Sequence, residues 1–226
     1  MRRSVTTIAV VALATAVSAQ GQYPSTDFSQ SQIRSGHVFT NPDRGASKNR
    51  EVNVVNIGSA TEGNGAPFGV SFPNQKRYRQ YYGPAGFNSN KPLKIQTVAF
   101  TSDVNTGTGP LMLNVSVTLG IGNTLSPLAS FEPLEDPQVC FNGQVTAFLN
   151  GSPEDLRFPC MREYHYRPNK GEVLVVDIVI HQRAADFING FLFGFSPNIT
   201  RVYQNPADGA VTVGMGEGLY TTFELK

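Results

Sequence analysis

The sequence predicts an all-β protein, an antiparallel β-sandwich with little helix and with a jelly-roll arrangement as a variant. Charged residues make up only 15% of the 226-residue chain, which contains 22 Gly and 15 Pro. This composition is typical of many short strands joined by turns. Apolar and polar residues alternate with a period of two in several segments, whereas the 3.6-residue period of an amphipathic helix is nearly absent. We therefore expect one β-domain of ordinary size.

The N-terminus predicts secretion. Arg2 and Arg3 precede a short apolar run at 8–17, and small residues at 17–19 provide a cleavage point before Gln20. This is the three-part pattern of a signal peptide, and the apolar run is too short to span a bilayer. We expect a signal peptide at 1–19 and an extracellular mature protein. No later segment has the length of apolar sequence that a membrane span needs.

The mature chain divides into two parts. Residues 20–50 are polar and rich in turn-forming residues, and their few scattered apolar side chains predict a loosely ordered arm. Residues 51–226 are predicted to form a single β-sandwich domain. Its first strand is expected at Glu51–Ile57, and a second at Lys94–Phe100.

The clearest strand is predicted at Leu111–Leu119, where five apolar residues share one face and polar residues share the other. The Asn142-Gly143 pair predicts a tight β-hairpin within 139–146, because a two-residue turn favours this dipeptide. A single capped turn is expected at Ser152–Asp155.

The segment Glu172–Ile180 is apolar on both faces apart from Asp177. It is therefore predicted to lie centrally in a sheet that is covered on both sides. Strands are also expected at Phe191–Phe195 and Leu219–Leu225, and a turn or two of helix at His181–Asn189.

Asp177 needs a partner in such an apolar strand, because a buried acid stays charged only when it is paired or hydrogen bonded. The arginines considered as its structural partner are Arg157, Arg162 and Arg167. A catalytic carboxylate with a raised pKa is the alternative.

The segment Lys76–Tyr82 concentrates cations and tyrosines and supplies the candidate binding residues, which are Arg77, Tyr78, Arg79, Tyr81 and Tyr82. In an extended chain the arginines and Tyr81 share one face, and Tyr78 and Tyr82 share the other. One interpretation is an outer strand whose arginines point to water and guard against edge-to-edge aggregation. The alternative is a surface that binds a polysaccharide or another polyanion.

The sequence predicts one disulfide and three N-glycosylation sites. Cys140 and Cys160 are the two cysteines of a chain expected to be secreted, so they predict one disulfide. Three sequons predict N-glycosylation in a host that glycosylates, at Asn114, Asn150 and Asn198.

Catalytic and cofactor chemistry is not predicted. The three histidines, His37, His165 and His181, fall in no known catalytic motif, and His165 is interpreted as a solvent-facing residue at a strand end. Two acidic groups, at 132–136 and 154–155, lie in turns where solvated carboxylates are common, and catalysis or Ca²⁺ binding is the alternative for them. We expect no metal and no cofactor. The net charge of +1 gives no general attraction to nucleic acid.

Five segments resemble, in their order and spacing, a family of secreted β-rich bacterial proteins that often carry a PEP-CTERM sorting segment. These segments are Arg77–Tyr82, Leu93–Phe100, Tyr166–Ile178, Thr200–Tyr203 and Gly218–Glu224, with Phe87 between the first two. The resemblance covers residues 76–225 and implies a secreted β-sandwich of unknown function. No sorting segment follows the last strand before Lys226, which favours free release or non-covalent attachment.

The function expected from these observations is a non-enzymatic structural or binding role at an extracellular surface. A carbohydrate-binding module is the first alternative, although the chain has no Trp and would have to use its Tyr and Phe side chains. A secreted hydrolase is the second, and it would need two acids across a cleft. The expected partner is a polysaccharide or a cell-surface component, and no oligomeric state is predicted.

Overall fold

The chain folds into two antiparallel sheets packed face to face. The structure is a computed structural model and describes residues 53–59, 62–64, 66–68, 76–103, 109–149, 155–184, 190–205 and 208–226. The strands in this part of the chain are β1 (Asn53–Ile57), β2 (Glu62–Asn64), β3 (Lys76–Tyr82), β4 (Leu93–Thr101), β5 (Gly109–Gly122), β6 (Glu135–Leu149), β7 (Asp155–Tyr166), β8 (Val173–Ala184), β9 (Phe191–Gln204), β10 (Val211–Leu219) and β11 (Thr221–Leu225). Two short 3-10 helices lie at Pro84–Phe87 and Pro168–Lys170.

The smaller sheet has the spatial order β1-β11-β4-β7, and the larger has the order β10-β9-β3-β8-β5-β6, with β2 paired to the first residues of β9. The predicted all-β sandwich is therefore confirmed. All of the described residues fall in one compact unit. Within them, no helix has the length and apolar character that would let it cross a membrane.

The core lies between the two sheets and is rich in aromatic rings. Alternate residues of β5 from Leu111 to Leu119 all point into it, as the period-two pattern predicts. Phe68, Phe100 and Phe191 pack together at one end, with ring centroids of the first two 5.5 Å apart. Around Tyr82 and Phe223, whose centroids are 5.0 Å apart, a second aromatic group fills the other end.

One side of the sandwich is joined covalently. β6 is the last strand of the larger sheet and β7 the last of the smaller one, and the predicted Cys140–Cys160 disulfide connects them. The Cα atoms of the two cysteines are 4.0 Å apart. Next to it, the Gln138 side-chain amide donates a 2.9 Å hydrogen bond to the Arg162 carbonyl oxygen. These links hold the two sheet edges together.

The predicted Asn142-Gly143 hairpin is wrong. β6 continues through both residues and pairs with β5, with Asn142 opposite Ser116 and Gly143 opposite Val115. A two-residue hairpin needs positive φ at both central positions, but only Gly143 has one, at +148°. Pairing along the whole strand lets its apolar residues on both sides of this point enter the core, which a local turn would prevent.

Three other expectations need adjustment. The capped turn expected at Ser152–Asp155 does not include Asp155, which begins β7, and its remaining residues lie outside the described part. The helical turn expected at His181–Asn189 is replaced by β8 as far as Ala184, and 185–189 are not described. The last predicted strand, Leu219–Leu225, is divided by Tyr220 between β10 and β11. The signal peptide and the arm at 20–50 also lie outside the described residues.

Candidate functional site

The segment that the sequence nominates for binding lies in the middle of a sheet. β3 pairs with β8 on one side and with β9 on the other. Its inward residues Tyr78 and Tyr82 are fully buried, in agreement with the predicted alternation. Because both neighbours continue the sheet, β3 is not an outer strand, and that interpretation of its arginines is wrong.

A neutral polar network fills the inner face of β3. The amide nitrogen of Gln80 donates to the Tyr82 hydroxyl at 2.9 Å and to the Leu219 carbonyl oxygen at 2.8 Å. Its amide oxygen accepts a 2.8 Å hydrogen bond from the Leu219 backbone N–H. Burial raises the pKa of both Tyr78 and Tyr82 well above the ordinary tyrosine value. The tyrosine hydroxyls therefore stay protonated and serve as structural hydrogen-bonding groups.

The outer face of β3 and of the neighbouring β8 carries an ionic cluster of Arg77, Arg79 and Asp177, of which Arg79 and Asp177 are buried. Arg77 Nε lies 2.8 Å from one carboxylate oxygen of Asp177, and Arg79 Nη2 lies 3.0 Å from the other. Only 1% of Arg79 and 5% of Asp177 is exposed. The expectation that both arginines point to water is therefore wrong for Arg79.

Asp177 is paired, as its apolar strand requires, but not with any of the three arginines considered from the sequence. Arg157 lies beside Glu224, Arg167 beside Glu172, and Arg162 is exposed. The actual partners follow from strand order, because β3 lies next to β8 and the register places Arg79 opposite Asp177. Asp177 therefore forms an ion pair, as its structural interpretation expects, and the catalytic alternative stays a prediction.

Residues 123–134, between β5 and β6, lie over this cluster, and we call them the covering segment. The Phe131 ring centroid lies 5.0 Å from the guanidinium carbon of Arg77 and 5.6 Å from that of Arg79. Arg79 Nη1 also donates to the Glu132 carbonyl oxygen. Such contacts between guanidinium groups and an aromatic face are favourable, more so away from water.

Apolar contacts and small residues allow the covering segment to lie close to the sheet. Leu125 and Leu134 pack, with Phe131, on a cluster that includes Tyr81 and Val175. A Cβ at Gly83 would lie 2.6 Å from a Leu125 methyl carbon, and a Cβ at Gly120 would lie 2.9 Å from the Leu134 side chain. We call this part of the outer face, with its ionic cluster, the covered half.

Another part of the outer face, on β5, β6 and the end of β8, is exposed and carries no charged side chain among the residues named next. We call it the open half, and its side chains are those of Met112, Asn114, Ser116, Asn142, Gln144, Thr146, His181 and Gln182. Asn142, Gln144, His181 and Gln182 are exposed, and Asn114 and Ser116 are half-buried between them. The strand pairing aligns Gln144 and Gln182 on either side of Asn114. From the sequence, Asn114 is predicted as a glycosylation acceptor and His181 as the start of a helical turn, and neither is predicted as a binding residue.

Ser116 and His181 form a hydrogen-bonded pair in the open half. Ser116 Oγ donates to Asn142 Oδ1 at 2.8 Å and lies 2.7 Å from His181 Nε2. With the hydroxyl proton directed to Asn142, Nε2 is assigned as the donor to Oγ. Burial lowers the pKa of His181, so the imidazole is uncharged at neutral pH.

The other nominated residues are dispersed. His165 is exposed on β7, as expected, and His37 lies outside the described residues. Asn198 is half-buried in β9, and Asn150 is not described. Among the described residues, no group of three or more His, Cys, Asp or Glu side chains is arranged to hold a metal ion.

No protein-family model matches the chain, and no curated protein matches it. The resemblance to secreted β-rich proteins with a PEP-CTERM segment therefore stays a prediction. The class of protein that the structure defines is a disulfide-linked, antiparallel β-sandwich whose larger sheet has a covered half and an open half.

Proposed function

We propose that this protein is a secreted, non-enzymatic β-sandwich protein with a binding or structural role at an extracellular surface. The observation that carries the proposal is the division of the outer face of the larger sheet. Its charged groups are engaged in the covered half, and its exposed hydrogen-bonding groups are neutral. An open, neutral, hydrogen-bonding surface on a rigid sheet suits recognition better than bond cleavage.

The disulfide supports the extracellular part of the proposal. Disulfides persist in oxidising compartments and are rare in the cytosol. Cys140 is fully buried, and its bond to Cys160 joins the two sheets at their edge. A protein with such a link is suited to conditions outside the cell, where the chain cannot be refolded by cellular machinery.

The arrangement of Ser116 and His181 favours binding over catalysis. A nucleophilic serine needs a base that accepts its proton, with a third group that orients the base. Here the hydroxyl proton is directed to Asn142, and the pKa of His181 is lowered by burial. A carboxylate that oriented the ring would raise that pKa instead.

The location is tested on material exported by the source organism. N-terminal sequencing and intact mass are expected to give a mature chain that begins at Gln20. An extracellular product that still contains Arg2 and Arg3, or protein found only inside the cell, would contradict the secretion assignment.

The binding role is tested by cosedimentation of mature 20–226 with washed cell envelopes and extracellular matrix of the same organism. We expect the protein to sediment with one of these fractions and to release no soluble sugar, acyl group or peptide from it. Progressive release of product, abolished by Ser116→Ala, would show an enzyme and overturn the proposal. Failure to sediment with any fraction would remove the binding role.

A further inference from the structure

We propose that the open half is a binding site for a neutral polysaccharide, an inference that rests on the binding role proposed above. It assigns the ligand to a different part of the molecule from the arginines and tyrosines of Lys76–Tyr82. Among those residues Tyr78, Arg79, Tyr81 and Tyr82 are buried, so they offer no surface to a polymer.

The open half presents its polar groups in two rows across the strands. In the first row Asn114 stands between Gln144 on β6 and Gln182 on β8. The second contains Ser116, with Asn142 and His181 hydrogen bonded to it. Neighbouring strands are about 4.8 Å apart, and alternate residues of one strand are about 7 Å apart. An extended polymer lying across the strands would therefore meet a hydrogen-bonding group at every strand.

The chemistry of these rows matches sugar hydroxyls. Each side-chain amide has an acceptor oxygen and two N–H donors, and each sugar hydroxyl both donates and accepts. Asn142, Gln144 and Gln182 are exposed, so their amides can exchange water for ligand hydroxyls without disturbing the core. Three amides in one small area supply paired donors and acceptors in both rows.

The absence of charge among these eight side chains selects a neutral ligand. They include no acid, lysine or arginine, and the lowered pKa of His181 keeps its ring uncharged at neutral pH. Uronate or sulfate groups would lose hydration here without gaining a cation, which is unfavourable. Removing the hydroxyls of a neutral sugar polymer from water costs less free energy, because hydroxyl–water and hydroxyl–amide hydrogen bonds are similar in strength.

An apolar contact is also present. Met112 is 48% exposed and lines, with Asn114, Gln144, Thr146 and Gln182, a shallow groove of about 130 Å³. Small-ligand sites combine an apolar surface with a few polar groups that fix orientation. The flexible thioether of Met112 adapts to irregular shapes, so it can contact the C–H face of a pyranose ring.

The test is affinity gel electrophoresis of mature 20–226 at pH 7.5 in native gels containing neutral hydroxyethyl cellulose, xyloglucan or galactomannan, or anionic polygalacturonate or alginate. We expect at least one neutral polymer to retard the wild type, and the anionic polymers to leave its mobility unchanged. The double variant Gln144→Ala/Gln182→Ala should bind that polymer with a dissociation constant about tenfold higher, because two hydrogen-bonding side chains are lost.

The control is Asn56→Ala, which removes an amide from β1 in the other sheet, where Asn56 is also exposed and hydrogen bonds Thr222. It should bind as the wild type does. Unchanged binding by the double variant would place the ligand elsewhere and overturn the site assignment. Retardation by the anionic polymers alone, or by none of the five polymers, would overturn the ligand class. If the protein still sediments with envelope or matrix, the proposed function survives each of these failures.

Discussion

The covered and open halves of the outer face share strands β5 and β8 but use opposite kinds of side chain. In the covered half, Arg79 and Asp177 are almost out of contact with water, and Arg77, whose side chain is 24% exposed, pairs with Asp177 beside Phe131. In the open half, amides and hydroxyls face solvent and no side chain is charged at neutral pH. Charge is thus placed where water is excluded, and neutral polar groups where water is present.

This difference indicates that the charged groups of the covered half contribute to the stability of the fold. The ionic cluster connects β3, β8 and the covering segment, three parts of the chain that are far apart in sequence. The open half makes few contacts of this kind, so its side chains can change without unfolding the protein. We therefore expect substitutions in the covered half to change stability, and substitutions in the open half to change binding.

The largest change in the free energy of unfolding is expected from Asp177→Asn. The change removes the charge that Arg77 and Arg79 share and leaves a buried guanidinium without an anion. Breaking a buried pair in this way destabilises by about 3–5 kcal/mol. Urea unfolding followed by circular dichroism measures the free energy of unfolding. Glu135→Gln, at an exposed carboxylate on β6, is the control and should change it by less than about 0.5 kcal/mol. Equal stability of the two variants would show that the cluster is not structural.

A smaller effect is expected from Arg79→Gln, because Asp177 keeps Arg77 as its partner. The variant still loses charge-assisted hydrogen bonds to Asp177 and to the Glu132 carbonyl oxygen, so we expect a loss of about 2–3 kcal/mol. Arg77→Gln is the matched variant, and the Arg77 side chain is 24% exposed. Its loss should be about 1 kcal/mol. The same urea experiment compares the two variants. A larger loss of unfolding free energy for Arg77→Gln would contradict the expectation that the more buried arginine contributes more.

How much of this comparison could be predicted depends on whether the signal is local. The face of β5 that enters the core follows from the alternation at Leu111–Leu119, and the central position of β8 follows from its apolar faces. Both are properties of a few consecutive residues. The disulfide was predictable because two cysteines allow one pairing.

The candidate site depends on strand order, which is not local. The sequence indicates that Asp177 has an arginine partner, but the partner is 98 residues away and adjacent only because β3 inserts between β9 and β8. The basic segment looks exposed because the covering segment that buries it lies elsewhere in the chain. Likewise, Gln144 and Gln182 carry no motif, and only the β6-β5-β8 pairing aligns them with Asn114.

An intermediate effect is expected from Phe131→Ala. The half-buried ring covers both guanidinium groups, and its loss removes the cation–π contacts and some apolar burial. We expect the free energy of unfolding to fall by about 1–2 kcal/mol. Leu128→Ala, in the same covering segment but at a side chain that is 71% exposed, is the control and should have little effect. If the two variants are equally stable, the covering segment does not depend on Phe131.

The smallest effect is expected in the open half, from the titration of His181. Burial lowers the pKa of its ring in the folded state below the ordinary value near 6.5. Between these two pKa values the unfolded chain binds a proton that the folded chain does not. The contribution of His181 to stability is therefore fully present above about pH 6.5 and decreases as the pH falls below it.

His181→Gln is expected to remove this part of the pH dependence and keep a hydrogen-bonding side chain near Ser116. Urea unfolding of the wild type and of His181→Gln is measured at pH 7.5, 6.5, 5.5 and 4.5. The contribution of His181 is the difference between the two slopes of unfolding free energy against pH. Gln182→Ala, at the next residue, changes no titrating group and should follow the wild-type slope. A wild type that gains stability from His181 as the pH falls would mean that the imidazolium is favoured in the folded state. In that case the open half would hold a cation under acidic conditions, and its neutral character, on which the contrast with the covered half depends, would be wrong.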